Sequence, residues 1–444
     1  VPVSPVPWTL VDFAPSEFAQ LVDDGSPVYA SAGALTNELG MAAQAVSGET
    51  TNPLSELLNG VSPPPSTPGD FVGFSGEPSL LERLLVSVLD FAEPFEKLLG
   101  INFESTLTPL IESASPPALL TALDGLTVTQ TTFDGMPVYD LTPADPSGQY
   151  VIALHGGGYV DQPTTEHWSA YADMAHQTGA TVVVPIYELA NQGGTAGTVE
   201  PEIAGLISSE IAAQGADHVS LYGDSAGGGM ALSAVELLVS EGKPVPESIV
   251  LDSPTLDLTM SNPDISLIND PILGAAGSGQ QDALLWAGDL SLTNPLVSPL
   301  YGSLEGLPPT YVYSGSDELL APDVLVLEKD AIAQDAPFSF ILRTGEIHDW
   351  ALTTVLDGAQ VQSQIYQELG LTGAGSSAAT NGSDILADLR DGLQNLAAEF
   401  TTVSASGGSS LGDLSTDVAN MLSTVTTEAT ALWSTMVGDA LTSF

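Results

Sequence analysis

The sequence predicts an α/β fold: a mostly parallel central sheet with helices on both faces, an N-terminal helical segment before it and C-terminal amphipathic helices after it. Three observations carry this expectation. Between residues 119 and 370, short apolar runs alternate with helical patterns. The runs are unbroken rather than alternating, as in strands buried on both faces of a parallel sheet. A glycine-rich turn joins one of the runs directly to a helix.

The expected strands are Tyr150 to Leu154, Thr181 to Ile186, His218 to Tyr222, Ser248 to Leu251, Thr310 to Tyr313 and Phe338 to Leu342. The helical patterns between them are Glu166 to Gln177, Val199 to Ala213, Ala226 to Glu241 and Pro322 to Ala333. Residues 255 to 306 break this rhythm and read as an insertion or a long irregular crossing.

The flanks differ in composition. Residues 1–118 are rich in Pro, Ser and Gly, with a loop or linker from Val61 to Gly69. Leu80, Leu81, Leu84, Leu85, Val88 and Leu89 then recur at helical spacing. That helix reads either as a packed accessory or as a cap over a site. Residues 371–444 pass from a Gly/Ser/Ala stretch into two amphipathic helices, marked by Ile385, Leu389 and Leu393, then Val418, Met421 and Val425. These helices lack the Lys/Arg face that binds anionic membranes. No run of about 18 apolar residues reads as a membrane span.

The 444 residues carry 56 acidic and six basic side chains, for a net charge of −50, although only 14% of residues are charged. Such a charge repels nucleic acid and anionic membranes and suits a neutral substrate. It fits a salt-adapted source or a low-lysine secreted protein equally well. With no cysteine, thiolate metal sites, disulfides and a Cys nucleophile are excluded. The chain opens at Val1 without Met, so an export leader is expected to have been removed.

Gly223-Asp224-Ser225-Ala226-Gly227-Gly228 lies between a strand and a helix. In that context G-x-S-x-G is a nucleophile elbow, a strained turn that projects Ser225 at the carboxyl end of the sheet. His155-Gly156-Gly157-Gly158 follows an earlier strand. Its N–H groups on Gly156, Gly157 and Gly158, with that of Ala226, are the expected oxyanion donors. His155 reads as a residue that orients this loop. The base must lie downstream, and His348 is the only histidine after Ser225. His167, His176 and His218 fit structural roles. The acid should follow a late strand, where Asp317 is favoured. Glu318 and Asp323 are rivals that also read as helix-start carboxylates, and Asp252 is a further alternative. Candidate substrate-pocket walls are Tyr159, Tyr187, Leu256 and Trp286.

His155–Gly158 with Gly223–Gly228 resembles the hormone-sensitive-lipase branch of the α/β-hydrolases. Phe133-Asp134-Gly135, Leu141-Thr142-Pro143-Ala144, Gln177 to Thr181 and Gly193 to Val199 are similar to mycobacterial lipases of the PE-linked group. The resemblance covers residues 119 to 370, and the flanks lie outside it. In place of the branch's usual Asp-Pro-Leu acid motif stands Asp317-Glu318-Leu319-Leu320. The resemblance implies hydrolysis of a small-molecule or lipid carboxylic ester and a secreted or cell-surface location. The triad expected is Ser225, Asp317 and His348, with no metal or organic cofactor required. An amide or polyester substrate, and a catalytically silent cell-surface binding protein on the same scaffold, are the alternatives. Acyl length and oligomeric state are not legible.

Overall fold

The computed structural model describes residues 65–79, 82, 112–118, 125–268, 270–274, 277, 279–353 and 357–371. Apart from Ser79 and Glu82, these belong to one compact unit formed by residues 59–78 and 103–376. The helical face expected from Leu80, and the two helices expected after Leu371, lie outside the described residues.

Eight strands form one sheet in the order β1-β2-β4-β3-β5-β6-β7-β8. They are β1 Thr127–Phe133, β2 Met136–Thr142, β3 Tyr150–Leu154, β4 Thr181–Pro185, β5 Val219–Asp224, β6 Ile249–Asp252, β7 Thr310–Gly315 and β8 Phe338–Arg343. From β4 to β8 all neighbours are parallel, while β1 and β2 form an antiparallel hairpin at one edge. The hairpin turns at Asp134 and Gly135, both with positive φ (48° and 101°), as a two-residue turn between twisted strands requires.

Among the described residues six helices connect or cover the strands: α1 Thr165–Thr178, α2 Ala196–Gln214, α3 Ser225–Ser240, α4 Gln280–Ala287, α5 Ala321–Ala333 and α6 Gly358–Glu368. Strand alternation divides the core into two layers. Ile152 and Leu154 of β3 face a cluster with Ile203 of α2, Met230 of α3 and Val324 of α5. Val151 and Ala153 face the other way, onto Trp168 and Met174 of α1 and Ile365 of α6. Both faces are therefore dry, which is why the strands read as unbroken apolar runs. The described residues between 255 and 306, which break the rhythm in sequence, are largely irregular, with α4 and short 3-10 turns among them.

The edge strand β8 is not left open. A loop from the N-terminal part of the chain runs beside it: Ser66 N–H donates to Phe340 O and Ser75 N–H to Leu342 O, both at 3.0 Å. Thr344 N–H returns a bond to Ser75 O. Such cover removes the unpaired groups that would otherwise template aggregation.

Candidate active site

Register brings the chemistry to the carboxyl end of the sheet. β3 and β5 are adjacent and parallel, with Leu154 opposite Gly223. The residues that follow them, 155–158 and 224–226, therefore emerge side by side. Asp224 lies opposite Asp252, and Asp252 opposite Tyr313, so the ends of β6 and β7 join the same carboxyl rim.

Ser225 begins α3 with φ 50°, a left-handed value that is strained for a serine. The flanking glycines make this turn possible. A Cβ on Gly223 would sit 2.4 Å from Gly227 O, and one on Gly227 would sit 1.9 Å from Leu154 O. Helix and strands thus approach too closely at these positions for any side chain. Ser225 Oγ lies 2.8 Å from His348 Nε2. Both residues are buried, at 6% and 7% exposure, so the pair sits largely out of water.

The partner of the other imidazole nitrogen corrects the expectation from sequence. Glu318 Oε2, not Asp317, lies 2.9 Å from His348 Nδ1. Beyond Gly315 the chain turns, with Ser316 N–H on Arg343 O and Asp317 N–H on Glu346 O. This points the Asp317 carboxyl back to its neighbour's hydroxyl, Ser316 Oγ, at 2.8 Å. Glu318 comes one residue later and is fully buried. Its longer side chain reaches the ring while its second oxygen accepts from Ser314 Oγ. Asp270 fixes the turn from outside by accepting Leu319 N–H at 2.8 Å. The other rivals stand elsewhere. Asp323 accepts from Asn262 Nδ2 at 2.8 Å. Asp252 is buried at the end of β6, and burial with nearby carboxylates pushes its pKa well up.

Burial opposes charging His348, but the hydrogen bond and charge of Glu318 outweigh it, so the imidazole pKa is raised above the ordinary value. Sequence reasoning did not single out Asp349. Its Oδ2 lies 3.3 Å from His348 Nε2, on the nitrogen that faces Ser225. Burial and the carboxylates of Asp224, Asp252 and Glu318 push its pKa well up, favouring the neutral acid. Only its place beside His348 could have drawn attention to it.

The glycine loop also departs from expectation in one member. Gly156 N–H is not free for an oxyanion, because it donates to Asp224 Oδ2 at 2.7 Å. Gly157 and Gly158 adopt positive φ, 103° and 58°, and among the described residues their N–H groups donate to nothing. Ala226 N–H, in the first turn of α3, has no acceptor within its helix. Gly157, Gly158 and Ala226 are thus the available donors. His155 orients the loop as expected. Its Nδ1 lies 2.7 Å from Gly156 O, and its ring stacks on Tyr187 at 4.3 Å. Burial and the neighbouring His167 hold its pKa down to about 3, so the ring is neutral.

The fold has counterparts in known proteins. A family model described as the α/β-hydrolase fold matches residues 151–352. A triacylglycerol lipase of Mycobacterium tuberculosis is 50% identical over 283 residues, 63% of this chain and 60% of that one. The chain thus spans about 60% of that relative's length. An acetyl-hydrolase of Streptomyces hygroscopicus is 30% identical over 212 residues, 47% of this chain and 70% of that one. The chain belongs to the α/β-hydrolase family. The α/β-hydrolase fold is seen again in a solved hormone-sensitive lipase from a metagenome library. That structure superposes with a TM-score of 0.52 at 24% identity, covering 60% of this chain and 94% of the other.

In this α/β-hydrolase the three aromatic residues expected as pocket walls are buried behind the loop. Tyr187 donates its hydroxyl to His155 O at 2.8 Å. Tyr159 stacks on Trp286 with ring centroids 4.3 Å apart, and both are almost wholly enclosed. Leu256 is buried in the same core layer. All four are enclosed in the core and present almost no open surface, and Tyr187 supports the glycine loop through His155. Aromatic residues in that loop's neighbourhood look alike in sequence whichever side of it they occupy.

Proposed function

We propose that this chain hydrolyses carboxylic esters through an acyl-enzyme on Ser225, with a Ser225-His348-Glu318 triad. The observation that carries the reading is the hydrogen-bonded line from Ser225 Oγ through both nitrogens of His348 to Glu318. His348 Nε2 takes the hydroxyl proton as Ser225 Oγ attacks the ester carbonyl. The N–H groups of Gly157, Gly158 and Ala226 receive the oxyanion, where each donor is worth about 2.7–4 kcal/mol of barrier. His348 then gives the proton to the departing alcohol, and a water activated by the same nitrogen releases the acid. Glu318 holds the ring and balances the imidazolium formed in each step.

A neutral ester is the substrate class this reading favours. The net charge of −50 and the carboxylates crowded around His348 disfavour an anionic one. The relatives named as a triacylglycerol lipase and an acetyl-hydrolase support acyl esters of long or short chain. The reading includes an exported protein, as the resemblance of residues 119–370 to PE-linked mycobacterial lipases implies. No helix among the described residues is long and apolar enough to cross a membrane.

The test is hydrolysis of p-nitrophenyl esters from acetate to palmitate by the native chain and by Ser225→Ala. The expected loss in kcat is on the order of 10⁵–10⁶, the scale seen when a serine hydrolase loses its nucleophile. Undiminished turnover by Ser225→Ala would end the reading. The acyl length of highest kcat/KM would then define the substrate more closely.

A further inference from the structure

The triad uses His348 and Glu318, yet a second buried histidine and carboxylate, His167 and Asp224, lie next to the elbow. His167 Nε2 is 2.9 Å from Asp224 Oδ2. The same Asp224 oxygen accepts Gly156 N–H at 2.7 Å. Gly156 N and His167 Nε2 are themselves 3.3 Å apart, so three groups from three elements meet at one point. Asp224 is the residue before the nucleophile, and Gly156 is the residue before the oxyanion donors Gly157 and Gly158. The meeting point therefore joins the two backbones whose separation the reaction must control.

The ring of His167 is held in its turn. Thr164 N–H donates to Nδ1 at 3.0 Å, and Thr164 Oγ1 lies 2.8 Å from the same nitrogen. With Nδ1 accepting, the ring hydrogen sits on Nε2 and points at Asp224. These contacts form the reciprocal cap of α1, so the ring is anchored to a rigid helix end. A Cβ on Gly156 would meet Asp224 Oδ2 at 2.4 Å, which shows how little slack this contact leaves. Burial disfavours the Asp224 charge, but His167 and Gly156 N–H outweigh it and hold its pKa below the usual range. Tyr171 adds a longer contact to the other oxygen, at 3.4 Å.

We infer that His167 and Asp224 form a clamp that fixes the Gly156–Gly158 loop against the nucleophile elbow, making His167 a positioning residue for the oxyanion site. His167 touches neither substrate nor the reacting atoms. It acts by fixing Asp224, which fixes Gly156, which aims the next two N–H groups. A misplacement of about 1 Å at such donors can cost on the order of 100-fold in rate. The loss belongs to the transition state, because the oxyanion exists only there. The inference rests on the ester-hydrolase reading proposed above.

The test compares His167→Asn with His167→Gln in the full chain. Asn retains a polar group near the Nδ1 position but is too short to donate to Asp224. Gln extends an amide N–H to the place of Nε2. Rates on p-nitrophenyl butyrate are normalised to sites titrated with a fluorophosphonate, so only folded, reactive protein is counted. His167→Asn is expected to lower kcat 10- to 100-fold, with KM within about threefold. Its affinity for an alkylboronic acid, which mimics the tetrahedral adduct, should fall by the same factor. His167→Gln should restore most of both. A kcat for His167→Asn within twofold of native overturns the clamp. So does a loss confined to thermal stability, or an unchanged boronate affinity. If His167→Asn does not fold, Thr164→Ala carries the test: a three- to tenfold lower kcat at constant KM supports the clamp, and an unchanged kcat overturns it. A native chain that hydrolyses no ester would instead refute the function on which the clamp rests.

Discussion

Glu318→Gln is expected to lower kcat by about 10⁴, the scale of converting the triad acid to its amide, while Asp317→Asn changes it by less than about threefold. The two carboxylates are adjacent in sequence, so local disturbance cannot by itself separate them. Their geometry does. Glu318 touches His348 Nδ1 at 2.9 Å, whereas the Asp317 carboxylate accepts from Ser316 Oγ. A glutamine keeps the volume but removes the negative charge that balances the imidazolium. It can also present an N–H to Nδ1 and select the wrong tautomer. The pH profile adds a second sign. His348 must be neutral to accept the serine proton, so the rate falls with acid as His348 becomes protonated. Glu318 raises the imidazole pKa against the effect of burial. Its neutral replacement should therefore move the acid limb to lower pH even as the plateau drops. Profiles of kcat against pH for both variants check this. An Asp317→Asn loss as large as that of Glu318→Gln would contradict the assignment.

Arg343→Met is expected to cost about 3–5 kcal/mol of stability, the usual result of removing one partner of a buried ion pair. For a domain of this size that is a drop of roughly 6–20 °C in Tm. Arg343 is wholly buried at the end of β8. Its Nε lies 3.0 Å from Glu346 Oε1, and Nη2 lies 2.9 Å from Asp357 Oδ2. Nη2 also donates to Glu77 O, and the guanidinium stands 5.3 Å from the Trp350 ring centroid. Methionine fills much of the space but removes the Arg343 charge from beside the buried Glu346 and Asp357. These residues bracket His348, one two positions before it and the other at the start of α6. The variant should thus lose activity at temperatures well below the native melting transition. Circular dichroism melts check this, and a shift under 2 °C would contradict it.

Much of this arrangement was legible in the sequence because parallel strands buried on both faces leave a clear trace. Tyr150 to Leu154 coincides with β3, and Pro322 to Ala333 lies within α5. The hairpin of β1 and β2 was missed. β1 reads Thr-Val-Thr-Gln-Thr-Thr-Phe and is mostly exposed, so it lacks an apolar run. Its Asp134-Gly135 turn was the available signal. The elbow and glycine loop were readable because glycine is forced where backbones touch. The acid was misread by one residue because strand position does not show how a turn rotates its side chains. The roles of Gly156 N–H and Asp349 depend on contacts between segments far apart in sequence, which periodicity does not encode. The aromatics expected as pocket walls are enclosed in the core, and a buried aromatic and a wall aromatic look alike in sequence.

The most direct test of the acyl-enzyme account is covalent capture with a fluorophosphonate, followed by peptide mass spectrometry. Phosphonylation needs a serine activated by its base, and it marks the attacking oxygen itself. One adduct per chain is expected, located on Ser225 and formed far more slowly in His348→Ala. An adduct on another residue, or labelling of the Ser225→Ala chain at the native rate, would contradict the account.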